Sequence, residues 1–114
     1  MYSNELVRGT LKTIVLKLLK EEGKMYGYEI TQKVKELTDG KILITEGALY
    51  PTLHALEAEG IVTIETVHIG RRVRKYYKLT TEGRANAQRK LSEMADFLGT
   101  MRILFEGDPG ILHA

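Results

Sequence analysis

The chain has 114 residues, of which 43% are hydrophobic and 28% are charged, and its net charge at pH 7 is +2. This length suits one compact domain with appendages, and the composition is that of a globular protein rather than a disordered or collagen-like one. The absence of cysteine excludes disulfides and thiol catalysis, and the lack of a signal peptide or of an apolar run near the roughly 20 residues of a membrane span predicts a cytoplasmic protein with no membrane partner.

Two helices are predicted in the first third of the chain. Apolar residues recur at helical spacing from about Glu5 to Glu22, and Gly23 follows where a left-handed residue would end the helix. A second stripe with the same period begins at Tyr26 and ends at Leu37, before an Asp-Gly pair. The sequence therefore predicts helix one and helix two.

The third predicted helix has two different sides. Thr45 is a good N-cap, Gly60 is a typical terminator, and one side carries three leucines that should anchor the helix, namely Leu49, Leu53 and Leu56. The residues expected to face a partner are Thr45, Glu46, Gly47, Tyr50, Pro51 and His54. Pro51 should remove one helical hydrogen bond and bend the first two turns. For Tyr50 and His54, a half-buried surface position is the alternative to partner contact.

A basic hairpin is predicted after helix three. Residues 61–69 and 73–80 are rich in β-branched and aromatic side chains, and they flank Gly70-Arg71-Arg72. Alternation places Tyr77 in the core and Tyr76 at the surface. Five cations and no acid lie between Ile69 and Thr80: Arg71, Arg72, Arg74, Lys75 and Lys78. Clustered cations favour phosphate binding, and the alternative is a solvated hairpin tip that discourages edge pairing.

The last predicted helix runs from about Glu82 to Phe105 and carries a heptad seam. The seam consists of Ala87, Leu91, Met94, Leu98, Met101 and Phe105, with steps of four and three residues. We expect it to form a homodimer interface through Leu91, Met94, Leu98, Met101 and Phe105. Packing onto helix one of the same chain is the alternative. The remaining tail contains two glycines and a proline and should fray.

These elements predict a mainly α fold with a small antiparallel β-hairpin, a winged helix-turn-helix. The expected organisation is a DNA-binding domain over residues 1–80, a dimerisation helix over 81–106 and a flexible tail over 107–114. The expected partners are double-stranded DNA and a second copy of the chain. Because helix three has no Lys or Arg, bidentate reading of guanine is not available to it. Most of the affinity should therefore come from the hairpin.

Two other classes of function are weighed against DNA binding. His54, His68 and His113 are scattered, and no spacing suits a metal site or a nucleophile paired with a base, so neither an enzyme nor a cofactor is expected. A winged helix that serves only as a protein interaction module is the stronger alternative, because this fold hosts both roles. Such a module would have no need of five hairpin cations.

Three stretches resemble the PadR family of bacterial transcriptional regulators, specifically its short class with a single carboxy-terminal helix. They are LVRGTLKTIVLKLLKEEGKMYGYEI, TEGALYPTLHALEAEGIV and RRVRKYYKLTTEG. The resemblance implies a winged-helix homodimer that represses transcription, often of its own gene, and that in many members releases DNA when a small molecule binds.

The resemblance also implies roles for particular residues. Tyr26 corresponds to a tyrosine that approaches DNA phosphate, with a packed position beside Gly27 as the alternative. Tyr50 corresponds to the recognition-helix tyrosine, and Arg71, Arg72 and Arg74 match the basic tip of the wing; Lys75 and Tyr76 complete the set of DNA-binding candidates. Multidrug-binding members stack ligands on tryptophans, and this chain has none. A small apolar effector would instead have to bind beside Met94, Met101 and Phe105 at the dimer interface, although methionines at helical spacing more often belong to a plain core.

Overall fold

A computed structural model describes residues 2–107 as four helices and three strands. In chain order the elements are α1 (Asn4–Glu22), β1 (Lys24–Tyr26), α2 (Gly27–Leu37), α3 (Glu46–Ala58), β2 (Val62–Ile69), β3 (Arg72–Leu79) and α4 (Thr81–Glu106). Three helices have an N-cap residue whose side-chain hydroxyl accepts a hydrogen bond from the backbone N–H three residues later. These N-caps are Ser3 for α1, Thr45 for α3 and Thr80 for α4. All four predicted helices are confirmed. None of the described helices is long and apolar enough to cross a membrane.

The tail and the domain limits stay predictions. Gly107 ends α4 with a φ of 80°, a conformation that glycine adopts easily. The remainder of the predicted flexible tail, residues 108–114, lies outside the described residues. The predicted limit between residues 80 and 81 falls where Thr80 caps α4 and its Oγ1 also donates a hydrogen bond to the Gly60 carbonyl, at 2.7 Å.

The hairpin is confirmed, but it belongs to a sheet of three antiparallel strands in the order β1-β3-β2. Ile69 pairs with Arg72, so the turn consists of Gly70 and Arg71, and Gly70 has the positive φ of 62° that a tight hairpin turn requires at its first position. The third strand, Lys24–Tyr26, was not predicted. Its three residues are too few to display alternation, and Tyr26 also fits the helical stripe of helix two.

The core lies between the inner face of this sheet and the first three helices. Met25 and Tyr77 are paired across β1 and β3 and are 4% and 2% exposed, which confirms the inward position of Tyr77. The anchoring side of α3 is also confirmed, since its three leucines are almost completely buried. Leu37, by contrast, fits the helical stripe of α2 but is 65% exposed at the end of the helix.

The two halves of α4 differ in their surroundings. Near its start, α4 packs against α1 and the end of the sheet, and Gly83 and Ala87 are buried there. A Cβ on Gly83 would overlap the Ile61 carbonyl oxygen, so this close approach requires glycine. Farther along, Leu98 is 59% exposed and Phe105 is 76% exposed. Ala87, the first residue of the predicted seam, therefore packs within the chain, Leu91 is half-buried, and Leu98 and Phe105 have no partner among the described residues.

Candidate nucleic-acid interface

The outward side of α3 is formed by Gly47, Pro51 and His54, which are all exposed. Glu46 is exposed at the start of the same helix, and Thr45 caps it by accepting a hydrogen bond from the backbone N–H of Ala48, at 3.2 Å. Pro51 lies inside a helix that remains continuous from Glu46 to Ala58. Because proline has no N–H, it cannot donate the usual helical hydrogen bond to the Gly47 carbonyl. The outward side of α3 thus carries no cation, and the carboxylate of Glu46 lies at its start.

Tyr50 lies at the junction of α3 and α2 rather than at the centre of that outward side. It is half-buried and packs against the core. A Cβ on Gly27 would lie 2.5 Å from the Tyr50 hydroxyl oxygen and 2.9 Å from Cζ, so the tyrosine ring occupies the space that only glycine leaves at the start of α2. The ring centroids of Tyr50 and His54 are 6.3 Å apart. Tyr50 therefore joins the two helices of the helix-turn-helix.

The cations of the wing, the β2–β3 hairpin, have no acidic partners among residues 2–107. None of Arg71, Arg72, Arg74, Lys75 and Lys78 forms an ion pair there. Six other basic residues do form such pairs within this part of the chain, namely Lys12, Lys17, Lys24, Lys33, Lys90 and Arg102. The positive charge of the wing is therefore not compensated by direct ion pairs, and the charges of Glu29 and Glu65 act on Arg74 and Lys78 only from beyond ion-pair distance.

The outer face of the sheet carries stacked aromatic and cationic side chains. Tyr26 and Tyr76 are paired across β1 and β3, with ring centroids 5.5 Å apart and planes at 84°. The guanidinium carbon of Arg74 lies 4.1 Å from the centroid of the Tyr26 ring. A hydrogen bond with Tyr76 is the main reason that the pKa of Arg74 is raised above its ordinary value. Tyr76 is half-buried rather than at the surface as predicted, because the unpredicted strand β1 places Tyr26 beside it.

Lys24 and Glu65 continue this outer face on the two flanking strands. Lys24 Nζ is 2.6 Å from a Glu65 carboxylate oxygen and 5.2 Å from the centroid of the Tyr76 ring. The hydrogen bond and the charge of Glu65 raise the pKa of Lys24, and those of Lys24 lower the pKa of Glu65. This pair spans the central strand β3 and ties β1 to β2 across it.

A cleft of about 300 Å³ lies where the start of α2, the side of α3 and the base of the wing meet. Four of the DNA-binding candidates line it: Tyr26, Tyr50, Arg74 and Lys75. Tyr77 closes its inner end, and burial raises the pKa of this tyrosine. Arg71 and Arg72 lie at the wing tip, and Thr45 lies at the amino end of α3, so these three do not border the cleft. The fold thus brings together residues that are up to 49 positions apart in the sequence.

Arg8 of α1 is a cation near α3 that sequence reasoning missed. It is exposed, and it borders a second, smaller groove of about 130 Å³ together with Thr45 and Ala48. Lys24 and Glu65 were missed as well. Lys24, Met25 and Tyr26 alternate between the two faces of the sheet, and this alternation is the signal for Lys24. Three residues are too few to establish such a pattern from the sequence. No signal in the sequence connects Arg8 with α3.

No group of three or more His, Cys, Asp or Glu residues that could hold a metal ion occurs within residues 2–107. His54 lies on the outward side of α3 and His68 near the end of β2. His113 lies outside the described residues.

Two helices joined into a helix-turn-helix and followed by a basic hairpin define a winged-helix DNA-binding fold. Residues 15–89 match the model of the transcriptional regulator PadR-like family. The chain belongs to this family, which makes it a transcriptional regulator and not an enzyme.

The chain is similar to several individual members. It is 36% identical over 77 residues to a transcriptional regulator of Mycobacterium tuberculosis, a match that covers 65% of this chain and 69% of the relative. A transcriptional regulator structure from Clostridium thermocellum has a TM-score of 0.78 and 31% identity, covering 87% of this chain and 96% of the other. Bacillus subtilis PadR in complex with operator DNA has a TM-score of 0.64 and 33% identity, covering 71% of this chain and 46% of the other.

Proposed function

We propose that this regulator is a homodimeric repressor that binds a palindromic operator, with α3 in the major groove and the wing on the adjoining backbone. The observation that carries the proposal is the set of five wing cations without acidic partners among the described residues. Unpaired cations can each displace a condensed counterion from a phosphate. The DNA-bound state of the similar Bacillus subtilis PadR supports the same partner. The cytoplasmic location remains a prediction.

The test is the salt dependence of binding to duplex DNA. The logarithm of the association constant should fall steeply with the logarithm of salt concentration, and replacing Arg71, Arg72 and Arg74 by alanine should flatten that slope. The expected change is about 0.9 for each phosphate that the variant no longer neutralises, doubled when both subunits contribute. Fluorescence anisotropy with a labelled duplex of random sequence measures the slope without knowledge of the operator.

A matched control removes three positive charges elsewhere. Lys20, Arg84 and Arg89 are exposed on α1 and α4 and, like the wing arginines, form no ion pair within residues 2–107, and replacing them by alanine leaves the wing intact. This control should keep the wild-type slope. An unchanged slope in the wing variant would contradict the wing assignment. Weak binding with a flat slope in the wild type would instead favour the protein interaction module.

We infer that the second copy docks on the distal half of α4. This helix has 26 residues and is therefore roughly 39 Å long. Its distal half exposes Leu98 and Phe105 from the predicted seam, while Met94 and Met101 are half-exposed. It also exposes Phe97 and Leu104, which the heptad pattern did not include. Such a concentration of apolar side chains on one helix is typical of an interface. A dimer would place two copies of α3 on one duplex, which suits a palindrome.

Sedimentation velocity tests the dimer. Leu98→Glu puts a charge into the seam and should yield monomers that retain the helical circular dichroism spectrum. Ser92→Glu makes the same charge change on a side of α4 that carries none of these apolar residues, and it should remain dimeric. A dimeric Leu98→Glu variant would show that the copies associate elsewhere.

The apolar effector remains a prediction of the resemblance. The side chains that would border it, Met94, Met101 and Phe105, lie on the distal half of α4, where a second copy would supply the other side of a space beside them. An apolar fluorescent dye should bind the wild-type dimer and release DNA if such a space exists. Dye binding that is equal in the Leu98→Glu monomer would count against an effector site at the interface.

A further inference from the structure

The three wing arginines are held in different ways. Arg71 and Arg72 lie at the turn, are exposed, and make no side-chain hydrogen bond, ion pair or ring contact within residues 2–107. Arg74 is half-buried, and its guanidinium carbon lies 4.1 Å from the centroid of the Tyr26 ring. Tyr26 is in turn fixed by the edge of the Tyr76 ring, at 5.5 Å, and by its own backbone N–H, which donates to the Glu29 carboxylate at 3.1 Å.

This arrangement leaves hydrogen-bonding groups of Arg74 free for a ligand. A guanidinium that lies on a ring uses its flat face, and its five N–H donors point outward in the plane. The Arg74 guanidinium is hydrogen-bonded to Tyr76, and its other donors can still bind phosphate oxygens. No carboxylate within the described residues pairs with Arg74. Arg74 also borders the cleft beside α3, together with Lys75 and Tyr50. It is therefore held, without an ion pair, next to the helix that is proposed to enter the groove.

We propose that Tyr26 is a positioning residue: its ring holds Arg74 ready to bind a DNA phosphate beside α3, so that Arg74 contributes more to affinity than Arg71 or Arg72. The proposal rests on the proposed DNA-binding function. A side chain that is already ordered loses less conformational freedom on binding than one at an exposed tip. Tyr26 then contributes to DNA affinity through its aromatic ring and not through direct contact of its hydroxyl with phosphate.

The experiment is a double-mutant cycle on the full chain, with affinity for a labelled 30-base-pair duplex of random sequence as the readout. Tyr26→Phe keeps the ring and should bind as tightly as the wild type. Tyr26→Leu removes the ring and should weaken binding by about two- to fivefold for each subunit, the range of an exposed cation–π contact. Arg74→Ala should cost clearly less in the Tyr26→Leu background than in the wild type.

Arg71→Ala is the matched control. It should reduce the affinity for DNA less than Arg74→Ala does, and the reduction should be the same in the wild type and in the Tyr26→Leu background. Unfolding of the Tyr26→Leu variant cannot imitate this pattern, because it would change the cost of Arg71→Ala as well. Thermal unfolding followed by circular dichroism checks that each variant is folded.

Three outcomes would overturn the proposal. If Tyr26→Phe weakens binding as much as Tyr26→Leu, the hydroxyl makes the contact itself. If the costs of Tyr26→Leu and Arg74→Ala simply add, the two residues act independently. If Arg71→Ala costs as much as Arg74→Ala, stacking confers no advantage. In all three cases the wild type still binds with a steep salt dependence, whereas loss of that dependence would refute the proposed function itself.

Discussion

The helix α3 and the wing are neighbours, but they depend on different physical forces. Three almost completely buried leucines hold α3 in the core, and it carries no Lys or Arg. The wing carries five cations without acidic partners among residues 2–107, and its outer half is exposed. Burial of apolar surface stabilises a fold, whereas clustered charge binds a polyanion and adds little to stability. Stability therefore depends on buried apolar side chains and affinity on exposed cations, so the two can be changed separately.

The largest effect on stability should come from Leu53→Ala. Leu53 has no exposed surface, and truncation leaves a cavity that lowers the free energy of unfolding by about 2–5 kcal/mol. Urea unfolding measures this loss. The adjacent His54→Ala, on the outward side, should change stability by no more than about 0.5 kcal/mol. If the two variants were equally stable, α3 would not be anchored as described.

A smaller effect is expected from Thr45→Ala, which tests whether α3 is more than a scaffold. The Thr45 hydroxyl accepts a hydrogen bond from the Ala48 N–H at 3.2 Å, and loss of such an N-cap costs about 1 kcal/mol. Thr45→Ser keeps the hydroxyl and should restore stability. If Thr45 also contacts DNA, the alanine variant will bind duplex DNA more weakly at temperatures where it is fully folded. Unchanged binding would confine Thr45 to its role as a cap.

The smallest effect should come from Glu65→Gln in the sheet. Pairing with Lys24 lowers the pKa of Glu65 in the folded state, so the pair stabilises the fold at neutral pH and this contribution is lost as the pH falls through the lowered folded pKa. The wild type should be slightly more stable than Glu65→Gln at neutral pH, and the difference should disappear in acid. Both carboxylate and amine are exposed, so the difference is small. In a Lys24→Gln background the same substitution should have no pH-dependent effect.

Most of the fold follows from local patterns in the sequence. Helical periodicity and good caps predicted all four helices to within a few residues, and β-branched runs around Gly70 predicted the hairpin. The inward position of Tyr77 followed from alternation along β3. These features depend on residues that are close in the chain, and the backbone enforces their spacing.

The candidate site was less accessible to sequence reasoning, because its geometry depends on residues far apart in the chain. The seam of α4 illustrates this: the heptad pattern is continuous, yet Ala87 is the one member of it that is buried within residues 2–107. Tyr76 was expected at the surface and is half-buried, because β1 pairs with β3 across 50 residues and places Tyr26 beside it. A strand of three residues has no periodic signal of its own, so its pairing was not predictable.

The wing shows which features follow from local sequence patterns and which follow only from tertiary contacts. The amino-acid sequence by itself determined that a hairpin with five cations follows a helix anchored by leucines, since turn chemistry, alternation and charge are local properties. Only the tertiary structure decided which of those cations is held in place. Arg74 differs from Arg71 and Arg72 because it is hydrogen-bonded to Tyr76 and because the ring of Tyr26 lies against it, and the contact with Tyr26 exists only once β1 has joined the sheet. The physical reason is that stacking requires the side chains of Tyr26 and Arg74 to meet in space. These residues are 48 positions apart in the sequence, and no local pattern shows that they meet.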